Sequence, residues 1–292
     1  MAAALSYFIA LPVIYLISLL PFRILYLLSD VFFLLLYYVL GYRKKVVKQN
    51  LLNSFPEKNE EEINRIMKKF YRYFCDLFLE TFKTLTISKP VMLKHCSFEP
   101  SAKKLMDELA AENKSFIIAM GHKGNWEWAG NTFSLLCRHQ LYVIYHPLAN
   151  KYFDKLMYTM RTRFGTRLIA MKNTFRDMME NRDELNATAF IADQTPHPDR
   201  AYWMTFLNQD TPVFAGIDKI ARKIKYPVVY VSAKKVKRGY YTLSAELLAG
   251  PPYTSGEGEI AMLYTKRLEK DIIEQPETWL WTHRRWKHKR TA

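Results

Sequence analysis

The sequence predicts an α/β fold: a central, mostly parallel sheet flanked by helices, with an N-terminal hydrophobic helical membrane anchor. Three observations carry this expectation. From about residue 100, short apolar runs alternate with helical patterns, the order expected of a parallel sheet with crossover helices. The first 42 residues are almost free of charge, with Arg23 and Asp30 the only charged side chains. Beyond them no internal repeat and no low-complexity linker divides the chain, so residues 43–292 read as one globular domain behind an anchor at 1–42.

Residues 5–20 form a 16-residue apolar run, slightly short of the roughly 20 residues that a spanning helix needs. Residues 24–40 form a second run, broken by Ser29 and Asp30, and Pro21 between the two invites a turn or kink. No basic segment precedes the first run and no small-residue cleavage site follows it, so a cleaved signal peptide is a poor match. Arg43, Lys44, Lys45 and Lys48 come next, a basic cluster that favours the cytoplasmic side and anionic headgroups. One tilted span and a shallow helical hairpin both fit this segment, and a buried pair of core helices fits the same lengths. Residues 50–86 read as helical: Glu60, Glu61 and Glu62 enrich a first turn, and Ile63, Ile66, Met67 and Phe70 follow at helical spacing. Strands are expected at 116–119, 141–145, 167–170, 187–192 and 227–232. Helices are expected at 125–138, 151–164, 173–181 and 213–223. Residues 240–248 add an edge strand and 257–274 a late helix.

The chain carries 43 Lys and Arg against 28 Asp and Glu, and since Arg23 and Asp30 cancel, the whole excess of +15 belongs to the part beyond residue 42. Such an excess suits nucleic acid, an anionic membrane surface, or anionic substrates and carriers. Zinc-finger spacing, RNA-recognition signatures and heptad-linked basic regions are absent from the sequence, so nucleic acid is not an expected partner. The tail Trp279-Leu280-Trp281-Thr282-His283-Arg284-Arg285-Trp286-Lys287-His288-Lys289-Arg290 mixes cations with indole rings. Beside an apolar anchor this reads as a headgroup-facing surface, with stacking on nucleobases as the rival use. Cys75, Cys96 and Cys137 are odd in number and form no CxxC pair, which argues against a disulfide framework and a cysteine-built zinc site and fits a reducing cytoplasm.

The most informative stretch is Gly121-His122-Lys123-Gly124-Asn125-Trp126-Glu127-Trp128, at the end of an expected strand and the start of an expected helix. On one continuous helix the five-residue spacing would set His122 and Glu127 about 140° apart. With His122 in the loop and Glu127 in the first helical turn, the carboxylate could hold the imidazole in one tautomer and leave its other nitrogen free to take a proton. The helix start near Asn125 could also aim its amides at an oxyanion or a phosphate. The same spacing fits a capped helix with an incidental histidine.

Three further clusters fall on expected turns. His146-Pro147 follows a strand, and Arg161 and Arg163 close the next helix, where they could grip phosphate, polarise a carbonyl, or serve as dipole partners. Ala192-Asp193-Gln194 sits at a strand's carboxyl end, where Asp193 could form a turn, orient an arginine or help bind a polar substrate. Thr211 is expected to cap a helix with Pro212 at its first position. GxSxG, Walker and GxGxxG signatures are missing, so direct attack by an acceptor is favoured over a covalent acyl-enzyme.

In this order the clusters identify a resemblance over nearly the whole length. The chain resembles the late acyltransferases of lipid A biosynthesis (the lauroyl and myristoyl types) within the glycerophospholipid-like acyltransferases. The residues that carry it are Gly41 to Leu51, Phe55-Pro56, His122-x4-Glu127, Arg161/Arg163, Ala192-Asp193-Gln194, Thr211-Pro212 and Trp281-Thr282-His283-Arg284-Arg285. One departure is Thr195-Pro196-His197-Pro198, where family members often carry a glycine-bearing loop. The resemblance implies transfer of a fatty acyl chain from a thioester, of acyl carrier protein or coenzyme A, to a hydroxyl of a membrane glycolipid at the cytoplasmic face of the inner membrane. His122 would then be the general base and Glu127 its orienting carboxylate, with Asn125, Arg161, Arg163, Asp193 and Gln194 at the substrate. No metal or redox cofactor is implied. A lysophospholipid or aminolipid acceptor is the nearest alternative, and a non-enzymatic polybasic membrane-binding protein the more distant one.

Overall fold

The computed structural model of the protein describes residues 2–254 and 256–290. Two apolar helices come first, α1 (Ala2–Leu19) and α2 (Phe22–Leu34), the latter running on as a π-helix, Leu35–Leu40, that ends on Gly41 in the left-handed conformation. Next come α3 (Lys44–Ser54), α4 (Glu60–Lys83) and α5 (Lys89–His95). The expected continuous helix over 50–86 is thus broken. Residues 55–59 leave the helical path, and Asn59 with Glu62 forms a reciprocal capping box that restarts it.

The α/β part contains β1 (Cys96–Phe98), α6 (Pro100–Ala111), β2 (Phe116–Met120), α7 (Trp126–Leu136), β3 (Gln140–Tyr145), α8 (Lys151–Thr162), β4 (Arg167–Ala170), α9 (Thr174–Glu180) and β5 (Asn186–Ile191). It ends with β6 (Ala201–Phe206), β7 (Gln209–Phe214), α10 (Gly216–Ile224), β8 (Val228–Lys237), β9 (Tyr240–Ala249) and α11 (Glu259–Glu274). Seven strands form one sheet in the order β1-β9-β8-β2-β5-β3-β4, and only the β8–β9 pair is antiparallel. All five residues of β2 are buried, as are five of the six in β5, which is why both read as unbroken apolar runs. Helices flank the sheet, with α10 and α11 against β2 and β8, and α6 and α7 against β1, β3 and β9. The expected edge strand at 240–248 lies one place inside the edge, because the short β1 pairs with it.

Thr211 and Pro212 do not cap a helix. They lie in β7, which pairs with β6 in a separate hairpin turned by Leu207 and Asn208, both at positive φ. Two left-handed residues in sequence match the right-handed twist of a two-residue hairpin, and α10 starts only at Gly216. The tail is the second departure. Trp279, Trp281 and Arg285 are fully buried rather than turned to headgroups, while Arg284, Lys287, Lys289 and Arg290 are exposed. Asn50 donates to the carbonyls of Trp281 and His283, and Arg43 to that of Thr282, so the tail is strapped across α3.

Candidate functional site

β2 and β5 are adjacent and parallel, with Met120 opposite Ile191. Two residues beyond that pair, each strand delivers a side chain to the same point above the sheet's carboxyl end: His122 from β2 and Asp193 from β5. Parallel α/β sheets build their sites at this end. The ring Nδ1 of His122 donates to Asp193 Oδ1 at 2.6 Å, the His122 backbone N–H donates to Oδ2 at 2.8 Å, and the Trp279 indole N–H donates to Oδ2 at 2.7 Å. Burial alone would raise the Asp193 carboxyl, but the facing His122 and these three hydrogen bonds hold it down at about 2. The carboxylate is 2 % exposed and the imidazole 18 %, so the ring, not the carboxylate, is the part of the pair that reaches solvent. Trp126 packs edge-on against the ring, with centroids 5.0 Å apart.

Glu127 takes a different partner. Its carboxylate accepts from Arg161 at 2.6 and 3.0 Å in a two-point pair, 12 % and 28 % exposed. Burial by itself would depress the guanidinium, and Glu127 raises it above its ordinary value. The expected hydrogen bond between Glu127 and His122 is therefore replaced by two pairs, His122 with Asp193 and Glu127 with Arg161. The first helical turn carries Glu127 towards α8, while the loop carries His122 towards β5.

Both pairs border one cavity of about 360 Å³. His122, Glu127, Arg161 and Gln194 stand among its lining residues, and the remaining wall is largely apolar, from Phe98, Ile118, Phe133, Leu141, Val143 and Leu243. Arg163 is not among them; it donates to the carbonyls of Thr84 and Ile87 and so ties the end of α8 to the loop after α4. Asn125 is fully buried. Its side-chain oxygen caps α7 at the Trp128 N–H, and its amide donates to Glu80, a carboxyl that burial raises and that Tyr26 and Tyr241 also donate to. The α7 amides of Trp126 and Trp128 are likewise already bonded, to Gly124 O and Asn125 Oδ1. Among the described residues no group of three or more His, Cys, Asp or Glu side chains is gathered as a metal ion would require.

The sequence profile of the bacterial lipid A biosynthesis acyltransferases matches residues 2–288. The chain belongs to that family. No curated protein matches it.

The loop bearing His122 in this acyltransferase is held from several sides. Gly124 N–H donates to Thr278 O, Leu280 N–H donates to His122 O, and Tyr73 donates to Gly124 O. Gly124 sits at φ +59°, and a Cβ there would lie 1.9 Å from Ala233 O. Gly124→Ala is expected to cost at least about 2 kcal/mol, from left-handed strain plus overpacking against backbone, read as a lower midpoint in urea unfolding.

Trp279 was not among the sequence candidates, although it completes the hydrogen bonding of Asp193. Its only signal was its place in a Trp-rich segment, whose burial composition cannot reveal. Arg285 lies close enough to Asp193 for attraction, donates to Pro212 O, and has been lowered to about 10 by burial. Burial has also lowered His283 to about 4, against the opposing pull of Asp193. An unfolded chain takes up that proton near 6.5 and the folded one only near 4, so the unfolded state binds more protons in between. Stability is expected to be full above about 6.5 and to fall as pH drops towards 4. His95 and His139 are depressed in the same direction. Melting temperatures from pH 7 to 4 should show the decline, and His283→Gln should flatten part of it.

Proposed function

We propose that this acyltransferase moves a fatty acyl chain from an acyl-carrier-protein thioester to a hydroxyl of a lipid A precursor, with His122 as general base, at the cytoplasmic face of the inner membrane. The observation that carries the reading is the His122 imidazole, fixed by Asp193 at the rim of an apolar cavity. A hydroxyl is a weak nucleophile near neutral pH, so its proton must be taken as it attacks. With Nδ1–H committed to Asp193, Nε2 takes that proton while the hydroxyl oxygen bonds to the thioester carbonyl carbon. The tetrahedral intermediate collapses, the C–S bond breaks, and the departing thiolate receives the proton back from the imidazolium. The apolar interior of the cavity takes the hydrocarbon tail.

Glu127 enters the reaction through Arg161. The pair holds a guanidinium at the cavity wall, where it balances charge developing on the carbonyl oxygen. Gln194, beside Asp193, offers a neutral donor to the same region. The two remaining substrate candidates, Asn125 and Arg163, support the frame in this scheme, the first through its cap and the second through its carbonyl contacts. The charge excess of +15 complements an acidic carrier protein and a phosphorylated lipid together.

The test is acyl transfer in detergent, read by mass spectrometry. Acyl-carrier-protein thioester is the donor, and a lipid A precursor and a lysophospholipid compete as acceptors. Acylation of the precursor by the wild type is the expected result. Acylation of the lysophospholipid alone would keep the chemistry and overturn the acceptor.

A further inference from the structure

We propose that α1 and α2 lie in the plane of the membrane, sunk into one leaflet on their outer faces, and that neither crosses it. By length and composition Phe22–Leu40 is long and apolar enough to span, and only 17 % of it is buried. Its contacts, however, run along its whole length rather than at one end. Phe22 lies under Lys83, Tyr26 donates to Glu80, Ser29 donates to Asp76, Phe33 lies under Arg72, and Tyr38 faces Lys68. This is an antiparallel alignment with α4 over nearly five turns. At its middle, Arg238 in the turn between β8 and β9 forms ion pairs with both Asp30 and Asp76.

The other helix is held in the same way. Tyr7 stacks on Tyr152 at the start of α8, Ile14 packs on Leu156 and Met160, and the Ser18 carbonyl accepts from Lys83. If α2 stood upright across a bilayer, the parts of α4 and the β8–β9 turn docked beside it would enter the hydrocarbon. Lys68, Lys69 and Arg72 are exposed on that part of α4. Such charges are rare and costly at membrane depth unless they line a protein interior. The docked arrangement and a span are therefore incompatible.

What remains uncovered is a broad apolar face on each helix, with a stripe of large side chains running along it. Ile9, Val13 and Leu16 on α1 are 52–65 % exposed, and Leu27, Val31 and Leu34 on α2 are 53–66 % exposed. The spacings of three and four residues put each set on a single helical face. Arg23, Arg43 and Lys45 are exposed beside these stripes, which suits anionic headgroups at the border of an apolar patch. A second protein copy would be met more naturally by an apolar patch without a cationic border. The opposite side of α1 packs on α8, which carries Arg161 into the cavity, so a leaflet-embedded acceptor would lie one helix away from the site.

The experiment uses the full chain with phosphatidylethanolamine–phosphatidylglycerol vesicles (3:1). Single fluorophores are placed through Val13→Cys, Leu27→Cys and Leu40→Cys, with the unsubstituted chain as the labelling background. Depth is read by quenching from spin-labelled lipids. The expected result is the same shallow depth at all three positions. A probe at position 27 near the bilayer centre, with position 40 at an interface, would overturn the proposal. Absence of quenching at all three would also overturn it, and dimerisation without lipid would then give the face to a second copy. The double substitution Leu27→Glu/Val31→Glu, on outward positions, should lower vesicle co-sedimentation at least tenfold while leaving the melting temperature unchanged. The readout is depth, so it stands apart from the acyl-transfer assignment.

Discussion

His122→Ala is expected to lower acyl transfer by about 10²–10⁴-fold, the usual contribution of a placed general base. The geometry leaves no substitute. Glu127 is committed to Arg161, and Asp193 is turned inward, where it accepts from Trp279 and the His122 backbone N–H. His146 also borders the cavity, but among the described residues its ring bonds to the Pro147 carbonyl and to no carboxylate that would fix its tautomer. His146→Ala should therefore leave turnover near the wild-type value. The loss in His122→Ala should fall on kcat, with little change in KM for the donor, because the imidazole acts on the proton in flight rather than on the bound thioester. Activity within a few fold of wild type would remove His122 from the mechanism.

Asp193→Asn is expected to cost nearly as much as removal of the imidazole. The amide keeps the shape of the carboxylate but has one acceptor oxygen where two now receive three N–H donors. If its NH₂ faces the ring, Nδ1 must become the acceptor and the proton moves to Nε2, which removes the base. A wrong-tautomer effect of this kind costs about 10⁴-fold in the serine-protease triad. The double variant His122→Ala/Asp193→Asn should fall little further than either single one, since the two side chains act as a unit. Glu127→Ala should also lower turnover by at least about 10²-fold, but through a freed Arg161. Combined with His122→Ala it should therefore fall further than either alone. Complete non-additivity would instead place Glu127 with the imidazole, where the sequence spacing first set it.

That contrast shows which parts of the site a sequence displays. β2 and β5 were visible because a parallel strand covered on both faces leaves a continuous apolar run, and β3, β4 and β8 by shorter apolar runs beside them. His122 was visible because it follows such a run. The partnership of His122 with Asp193 was not, since it depends on the lateral register of β2 and β5, which places residues 71 apart in the chain at the same height. Glu127 was chosen for nearness in sequence, and the turn of α7 carried it to α8 instead. The hairpin of β6 and β7 was hidden because Thr-Pro before an apolar stretch has the chemistry of a helix start, while the deciding signal, left-handed residues at both Leu207 and Asn208, is only half legible: Asn adopts that conformation readily and Leu seldom does. Composition misled at the tail for a related reason. Tryptophan suits a membrane boundary and a protein interior equally, and only packing separates the two.

The tail also sets a time at which the protein becomes competent. Thr278, Trp279 and Leu280 clasp the His122 loop and Asp193, and Arg285 reaches back to β7. All of these contacts come from residues 278–285, which are made more than two hundred residues after the apolar helices. On a ribosome the membrane-seeking segment would emerge and meet lipid while the acid and the imidazole still lacked their fastening. Acyl transfer would wait until residues 278–285 had been made and had folded back, and a nascent chain stalled short of residue 278 would sit at the membrane without reacting there.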